Sequence, residues 1–386
     1  MKLKTIPIFL VFFIMGFGDA VGTLVGFVTK EFNLSPAVAG LLPFFGFLAF
    51  GLFSVPLGIL AEKKGQKFVL VVFLSLVLAG ELIPIISIAR YEFVLIPIFF
   101  IGLGITALQV VGNPMMRTVS APGMFSRNLT FAQFIKSVGS NAAPYLLPLV
   151  VAMGLAWQNI FGVLAFVAAA ALISVSFLKV EKESGGTKQS GASIRSSFVL
   201  LKEPYVLMMV LGIFFYVGAE AGLNSWIARL LQMKFSPDID TMTTLGVGFF
   251  MTALAIGRLA GSFILNYLSP KKFFVLTSLV GVAAVLGTFV PSESVVLVSI
   301  FLAGISFANV FPLIFSILIY SMPERSNELS GLMVMAIVVG AIIPALMGVA
   351  ANESVELSFI IPLMIFIYIS FLAFNSLKHS KAAVQP

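Results

Sequence analysis

The sequence predicts an all-α membrane protein with twelve transmembrane helices in two pseudo-symmetric six-helix halves. Three observations lead there. Of 386 residues, 60% are hydrophobic and only 10% charged, against roughly 25% charged in a soluble domain. The apolar residues come in blocks of about 20, the length that crosses a ~30 Å hydrocarbon core as a helix. Polar and helix-breaking residues of the first half also recur in the second at a nearly constant offset. So little polar surface excludes a soluble enzyme, a nucleic-acid binder and a disordered scaffold. The net charge of +7 then sets orientation rather than marking a nucleic-acid footprint. With no cysteine, and its single histidine (His379) in the C-terminal tail, the chain has no disulfide, thiolate metal site, cysteine nucleophile or histidine triad.

Charged punctuation separates the apolar blocks. Their limits are 6–29, 37–61, 68–89, 93–118, 128–150 and 157–178 in the first half. In the second they are 205–229, 242–268, 273–290, 295–320, 328–350 and 357–377. The first block is too long for a cleavable signal and has no small-residue cleavage site, so Lys2 and Lys4 precede a retained anchor. With the N-terminus inside, 16 Lys and Arg residues fall in inner segments and 3 (Lys30, Arg90 and Lys234) in outer loops. The positive-inside rule then puts both termini in the cytoplasm of a multi-pass inner-membrane protein.

Lys179 to Glu203 contains the run Ser184-Gly185-Gly186-Thr187 and has the composition of a flexible linker. It gives three regions: an N-terminal half over 1–178, a cytoplasmic linker over 179–204 and a C-terminal half over 205–386. Asp19 and Glu220 lie near the middle of spans one and seven, 201 positions apart. Pro144 and Pro344, in spans five and eleven, are 200 apart. Asn113-Pro114 in span four faces Asn309-Val310-Phe311-Pro312 in span ten. Two six-helix halves around a central path is the architecture of a transporter.

An ionisable group deep in a span costs at least ~2.5–3.5 kcal/mol on insertion scales, so each needs a reason. The deep acids are Asp19, Glu81 and Glu220, and the deep bases Lys136 and Arg258. Asp19 and Glu220 are the candidate coupling residues, because protonation of a buried carboxyl responds to what surrounds it. A fixed helix partner for either is the structural alternative. Lys136 pairs with Asp19, binds an anionic substrate group, or snorkels; these alternatives stay open. Glu81 is expected in a supporting role, and Arg258 at a gate or helix contact. Gln109, Asn113, Gln133 and Asn141, with Asn224 and Asn309, offer amide donors and acceptors together, which suits neutral polyols. Inter-helix hydrogen bonding is the competing role for each. Tyr216 and Trp226 are candidates for stacking on a sugar ring.

Between spans two and three, Gly58-Ile59-Leu60-Ala61-Glu62-Lys63-Lys64-Gly65-Gln66-Lys67 resembles the major facilitator superfamily signature. Physically, its glycines allow close helix approach and a tight turn, and the acid can pair with bases. Ala107 to Pro114, Asn128 to Gln133 and Tyr216-Val217-Gly218-Ala219-Glu220 are similar to segments of the fucose–galactose–glucose:proton symporter family. So are Gly257-Arg258-Leu259-Ala260-Gly261 and Val334 to Pro344. The likeness spans nearly the whole chain and is nearest the bacterial L-fucose:proton symporter branch. That resemblance implies alternating access of a sugar driven by a proton, or by sodium in some relatives. In the fucose symporter branch a span-one aspartate and a span-four glutamate carry sugar recognition and coupling. The aspartate matches Asp19, whereas Gln109 stands at the glutamate position and Lys136 at a sugar-contacting asparagine.

The sequence is therefore expected to encode a monomeric secondary transporter that imports a monosaccharide by cation symport, with no cofactor, metal or nucleic-acid partner. Its partners are a sugar, a coupling cation and the bilayer. A sugar-acid carrier, a drug exporter and a non-transporting receptor are the rivals. With no Gly-x-x-x-x-Gly-Lys-Ser/Thr and no paired nucleophile and base, neither an ATP-driven pump nor an enzyme is expected.

Overall fold

The computed structural model describes residues 3–18, 21–86, 90–179, 192–235, 239–339 and 342–379. We label its longer helices α1 Ile6–Phe17, α2 Val21–Phe32, α3 Leu41–Lys64, α4 Gln66–Ile86, α5 Glu92–Val119, α6 Phe125–Ala152 and α7 Ile160–Phe177. The second half has α8 Pro204–Phe235, α9 Ile239–Ile264, α10 Pro270–Gly287, α11 Glu293–Ser321, α12 Ser326–Val339, α13 Ile342–Ala351 and α14 Ile360–Lys378. Among the described residues, ten helical stretches are long and apolar enough to cross a membrane. The expected first span is divided between α1 and α2, with residues 19 and 20 outside the described set. The fifth span is α6, which is 28 residues long and carries Arg127, Gln133, Lys136 and Asn141, so it is the more polar crossing. The Ser-Gly linker run also lies outside the described residues. The following stretch forms a short helix, Ile194–Val199.

The chain divides into two compact units. One comprises Met1–Phe125, Ile135–Val199 and Glu324–Met335; the other comprises Ser126–Phe134, Leu200–Pro323 and Ala336–Pro386. Within the first, α4 packs on α5, α3 on α5, α4 on α7, α1 on α7 and α1 on α5. Within the second, α10 packs on α11, α9 on α11, α10 on α14, α8 on α14 and α8 on α11. These are the same five pairings, span for span, so the two halves are structural copies.

Small residues set the closest crossings. In lipid no hydrophobic force draws helices together, so backbone approach and dispersion take its place. A Cβ on Gly102 of α5 would lie 3.0 Å from the Cα of Gly46 on α3. Likewise, a Cβ on Gly16 of α1 would lie 2.6 Å from the backbone nitrogen of Ser140 on α6.

Prolines inside the spans free carbonyls that the bilayer cannot solvate. Pro114 supplies no N–H to Val110, and the hydroxyl of Ser330 donates to the Val110 carbonyl instead. The indole Nε1 of Trp226 donates to the Pro344 carbonyl at 3.2 Å, which anchors that ring to span eleven.

Candidate functional site

In the first unit a polar cluster grows from α5. Gln109 and Asn113 are one turn apart and share a face; they are 6% and 0% exposed. The Asn113 Nδ2 donates to the Gln109 carbonyl at 2.7 Å. The Gln109 side chain accepts through Oε1 from the Lys136 ammonium at 3.5 Å. The Gly16–Gly139 crossing brings α1 against the backbone of α6 at this level, and Asp19 follows three residues beyond Gly16. Asp19 itself, and any pairing with Lys136, lies outside the described residues. Asn141, five residues beyond Lys136, bonds back to the Ser137 carbonyl one turn before it at 2.9 Å. Gln133 is buried and belongs, with the first turns of α6, to the second unit.

The second unit has its own cluster. Tyr216, Glu220 and Asn224 recur every four residues along α8 and so share a face. Arg258 on α9 pairs with Glu220 at 3.6 Å. Both side chains are largely withdrawn from solvent, at 15% and 24% exposure. Tyr216, 2% exposed, sits against the rings of Phe307 and Phe311 at 5.8 and 6.3 Å. Its hydroxyl has Glu220 and Arg258 as charged neighbours but forms no hydrogen bond that meets normal geometry. Asn309 on α11 donates to the carbonyls of Gly257 at 3.2 Å and Ile305 at 3.3 Å. Its Oδ1, like the Oδ1 of Asn224, is buried with no partner among the described residues.

A third polar group surrounds the Gly58–Lys67 motif. Gly65 ends α3 at φ +91°, a backbone conformation that favours glycine. The motif's acid takes an amide: Glu62 Oε2 accepts from Asn327 Nδ2 at 2.8 Å, with Arg325 as a charged neighbour. Gln66 Nε2 donates to Asn327 Oδ1 at 2.9 Å. A Cβ at Gly58 would come 2.5 Å from the Asn327 carbonyl oxygen, so the glycine makes room for α12. Next to Asn327, Glu328 accepts from Ser196 at 2.8 Å and Ser197 at 3.2 Å, and is paired with Arg325. Lys67 donates to the Ser176 carbonyl at 2.7 Å, whereas Lys63 is exposed. Sequence reasoning missed Asn327, Glu328, Ser196 and Ser197. The available signal was the cluster Ser326-Asn327-Glu328 opening an apolar span, an unusual density of polar groups at that place.

Asn327→Ala removes both amide bonds and leaves Glu62 half-buried without its donor, at a cost of about 1–2 kcal/mol. The apparent Tm of the purified protein in lipid should fall by about 3 °C. An unchanged Tm would show that the Glu62–Asn327–Gln66 bonds contribute nothing to stability.

Two units of matching helix pairings, each with polar side chains buried on its spans, define a multi-pass membrane transporter. The chain belongs to the Major Facilitator Superfamily, whose family model matches residues 8–345. It is 24% identical over 375 residues to the glucose/galactose transporter of Brucella abortus biovar 1 (strain 9-941), covering 94% of this chain and 91% of that one. It is also 23% identical over 399 residues to the L-fucose-proton symporter of Haemophilus influenzae, covering 90% of both. Among solved structures it matches the E. coli fucose:proton symporter with a TM-score of 0.84 at 20% identity, over 99% of this chain and 100% of the other. The proton:xylose symporter bound to 6-bromo-6-deoxy-D-glucose matches with a TM-score of 0.72 at 13% identity, over 96% and 94% of the chains. The structural matches establish the fold.

Proposed function

We propose that this protein imports a monosaccharide of the L-fucose, glucose or galactose type across the inner membrane. Import is by symport with a proton, by alternating access, in a monomer with both termini in the cytoplasm. Halves 1–178 and 205–386 move as the working bodies, joined by 179–204. The carrying observation is the pair of buried amide oxygens that lack partners among the described residues, Asn224 Oδ1 and Asn309 Oδ1. Buried polar groups in native proteins are overwhelmingly hydrogen-bonded, and a neutral polyol supplies hydroxyls that both donate and accept. In the N-terminal half, Gln109, Asn113, Gln133, Lys136 and Asn141 are the candidate sugar-binding side chains. Asp19 and Glu220 would carry the coupling, and Arg258 would hold Glu220. The names of the sugar-transporting relatives support the same substrate class.

Uptake of radiolabelled L-fucose, D-glucose and D-galactose into proteoliposomes tests this, under separate proton and sodium gradients. Accumulation of one sugar driven by the proton gradient is expected. Accumulation driven only by sodium would reassign the ion, and no accumulation of any sugar by correctly inserted protein would overturn the substrate class.

A second reading, a carrier of sugar acids, is favoured by Lys136, whose ammonium reaches Gln109 Oε1 at no better than 3.5 Å. An ammonium has three donors, of which this contact uses one among the described residues. Competition by sugar acids against the neutral sugars, in wild type and Lys136→Asn, separates the two. If Lys136 receives a substrate carboxylate, the variant should lose at least tenfold in affinity for the acid and little for the neutral sugar. Unchanged pH dependence and substrate profile would remove Lys136 from both recognition and coupling.

A further inference from the structure

Glu81 lies outside all three polar groups described above. It sits near the end of α4, is 1% exposed, and its Oε2 is buried with no hydrogen-bond partner among the described residues. One turn before it, Val77 would meet a Cβ at Gly104 of α5; one turn after it, Ile85 would meet a Cβ at Gly162 of α7. The intervening position therefore lies in the seam where α4 packs against α5 and α7.

Among the described residues, no countercharge is built into that seam. On α5 the charged residues are Glu92 and Arg117, one at each end of the helix. Gly80 is at the level of Pro97 and Ile101, which puts Arg117 about 24 Å further along the axis and Glu92, exposed, about 8 Å the other way. On α3 the charges are Glu62, Lys63 and Lys64, again about 24 Å of helix from Gly46, the residue facing α5 at Gly102. On α4 itself Lys67 is about 21 Å from Glu81. Neither α7 nor the turn Trp157–Asn159, which also touches α4, has a titratable group of its own; the acid bonded to that turn, Glu31, and the base that follows the end of α4, Arg90, are both exposed.

Two further features bear on the acid's state. Pro84 has no N–H, so the Gly80 carbonyl beside Glu81 lacks its usual i+4 donor; a protonated carboxyl is a donor, a carboxylate is not. The corresponding helix of the other half, α10, makes the same packing with Gly281 and Val282 at offsets of 200 and 201. The seam thus does not need an acid to form.

We propose that Glu81 is a proton-binding site, holding a proton as a neutral carboxylic acid within the bilayer-spanning seam of α4, α5 and α7, apart from the candidate coupling residues Asp19 and Glu220. The ligand is the proton itself. Its binding there does not depend on which substrate the protein carries.

Infrared difference spectroscopy of the full chain in lipid vesicles, without sugar, tests this directly. At pH 7 the wild type should show the carbonyl stretch of a protonated, weakly hydrogen-bonded carboxyl. That band should vanish in Glu81→Gln and shift in frequency, without loss of amplitude, in Glu81→Asp. Superposable wild-type and Glu81→Gln spectra would mean that Glu81 is ionised, and would overturn the proposal. If Glu81→Gln fails to fold, the Glu81→Asp comparison decides: an unshifted band belongs to another carboxyl and overturns it equally. Because no sugar is present, sugar uptake can fail while this result stands, and the reverse.

Discussion

Gly139→Val is expected to abolish recovery of folded protein. A Cβ at position 139 would fall on the Phe13 carbonyl oxygen of α1, with the carbonyl carbon at 3.3 Å and the Gly16 Cα at 3.4 Å. From the opposite side, a Cβ at Gly16 meets the Lys136 carbonyl and the Ser140 nitrogen. All of these obstacles are backbone, which cannot rotate aside as a side chain can. The helices must separate, forfeiting dispersion along the crossing that holds α1 to α6. Overpacking of this kind costs typically 1–3 kcal/mol and occasionally more, against a total stability of about 5–15 kcal/mol. A β-branched residue against two backbones belongs at the upper end. Size-exclusion chromatography after extraction should show the monodisperse peak lost for Gly139→Val and reduced for Gly139→Ala. A Gly139→Val peak and melting curve equal to the wild type would show that α1 and α6 do not need to touch there.

The second large effect is expected at the ion pair of the C-terminal half. Glu220→Gln leaves the Arg258 guanidinium without its carboxylate inside a membrane-spanning unit. Removing one partner of a buried pair costs on the order of 3 kcal/mol, mostly the penalty of the orphaned charge. Replacing both by neutral groups costs far less, because desolvation of the pair offsets much of its attraction. The expected order of melting temperature is therefore wild type, then the double variant Glu220→Gln/Arg258→Gln, then Glu220→Gln alone. Uptake should be lost in both variants if Glu220 also serves coupling. A double variant less stable than the single would show that the 3.6 Å contact is incidental and that Arg258 is held by other groups.

Much of the architecture was legible in the residues. The block expected over 205–229 is the core of Pro204–Phe235, and that over 295–320 is nearly coextensive with Glu293–Ser321. Hydropathy succeeds because every backbone polar group in lipid must be satisfied within a helix, which leaves few alternatives to a continuous span. It fails on what meets what. Glu62 and Asn327 are 265 positions apart, and no local pattern announces that an amide rather than a lysine receives the motif's acid. Tyr216 is a candidate platform for a sugar ring, and no local pattern announces that it packs beside Phe307 and Phe311. Gln109 and Lys136 were each singled out, but their meeting depends on the packing of two helices, not on their spacing. Glu81 was visible as a deep acid; that no described residue of α3, α5 or α7 brings it a countercharge could be seen only once those helices were placed around it.

The boundary between the compact units does not coincide with the linker. The N-terminal unit is completed by Glu324–Met335, whose side chains hold Glu62, Gln66 and the serines of Ile194–Val199, while Ser126–Phe134 is counted with the other unit. A gene cut between the halves would therefore not yield two self-sufficient polypeptides. A fragment ending at Val199 lacks the donor for Glu62, and one beginning at Leu200 carries Glu328 without the serines that bind it. The two pieces are complementary in the sense of a split protein: neither is whole until its counterpart is translated in the same membrane. A protein built as a duplicated module has in this way made its two copies mutually dependent through a dozen residues.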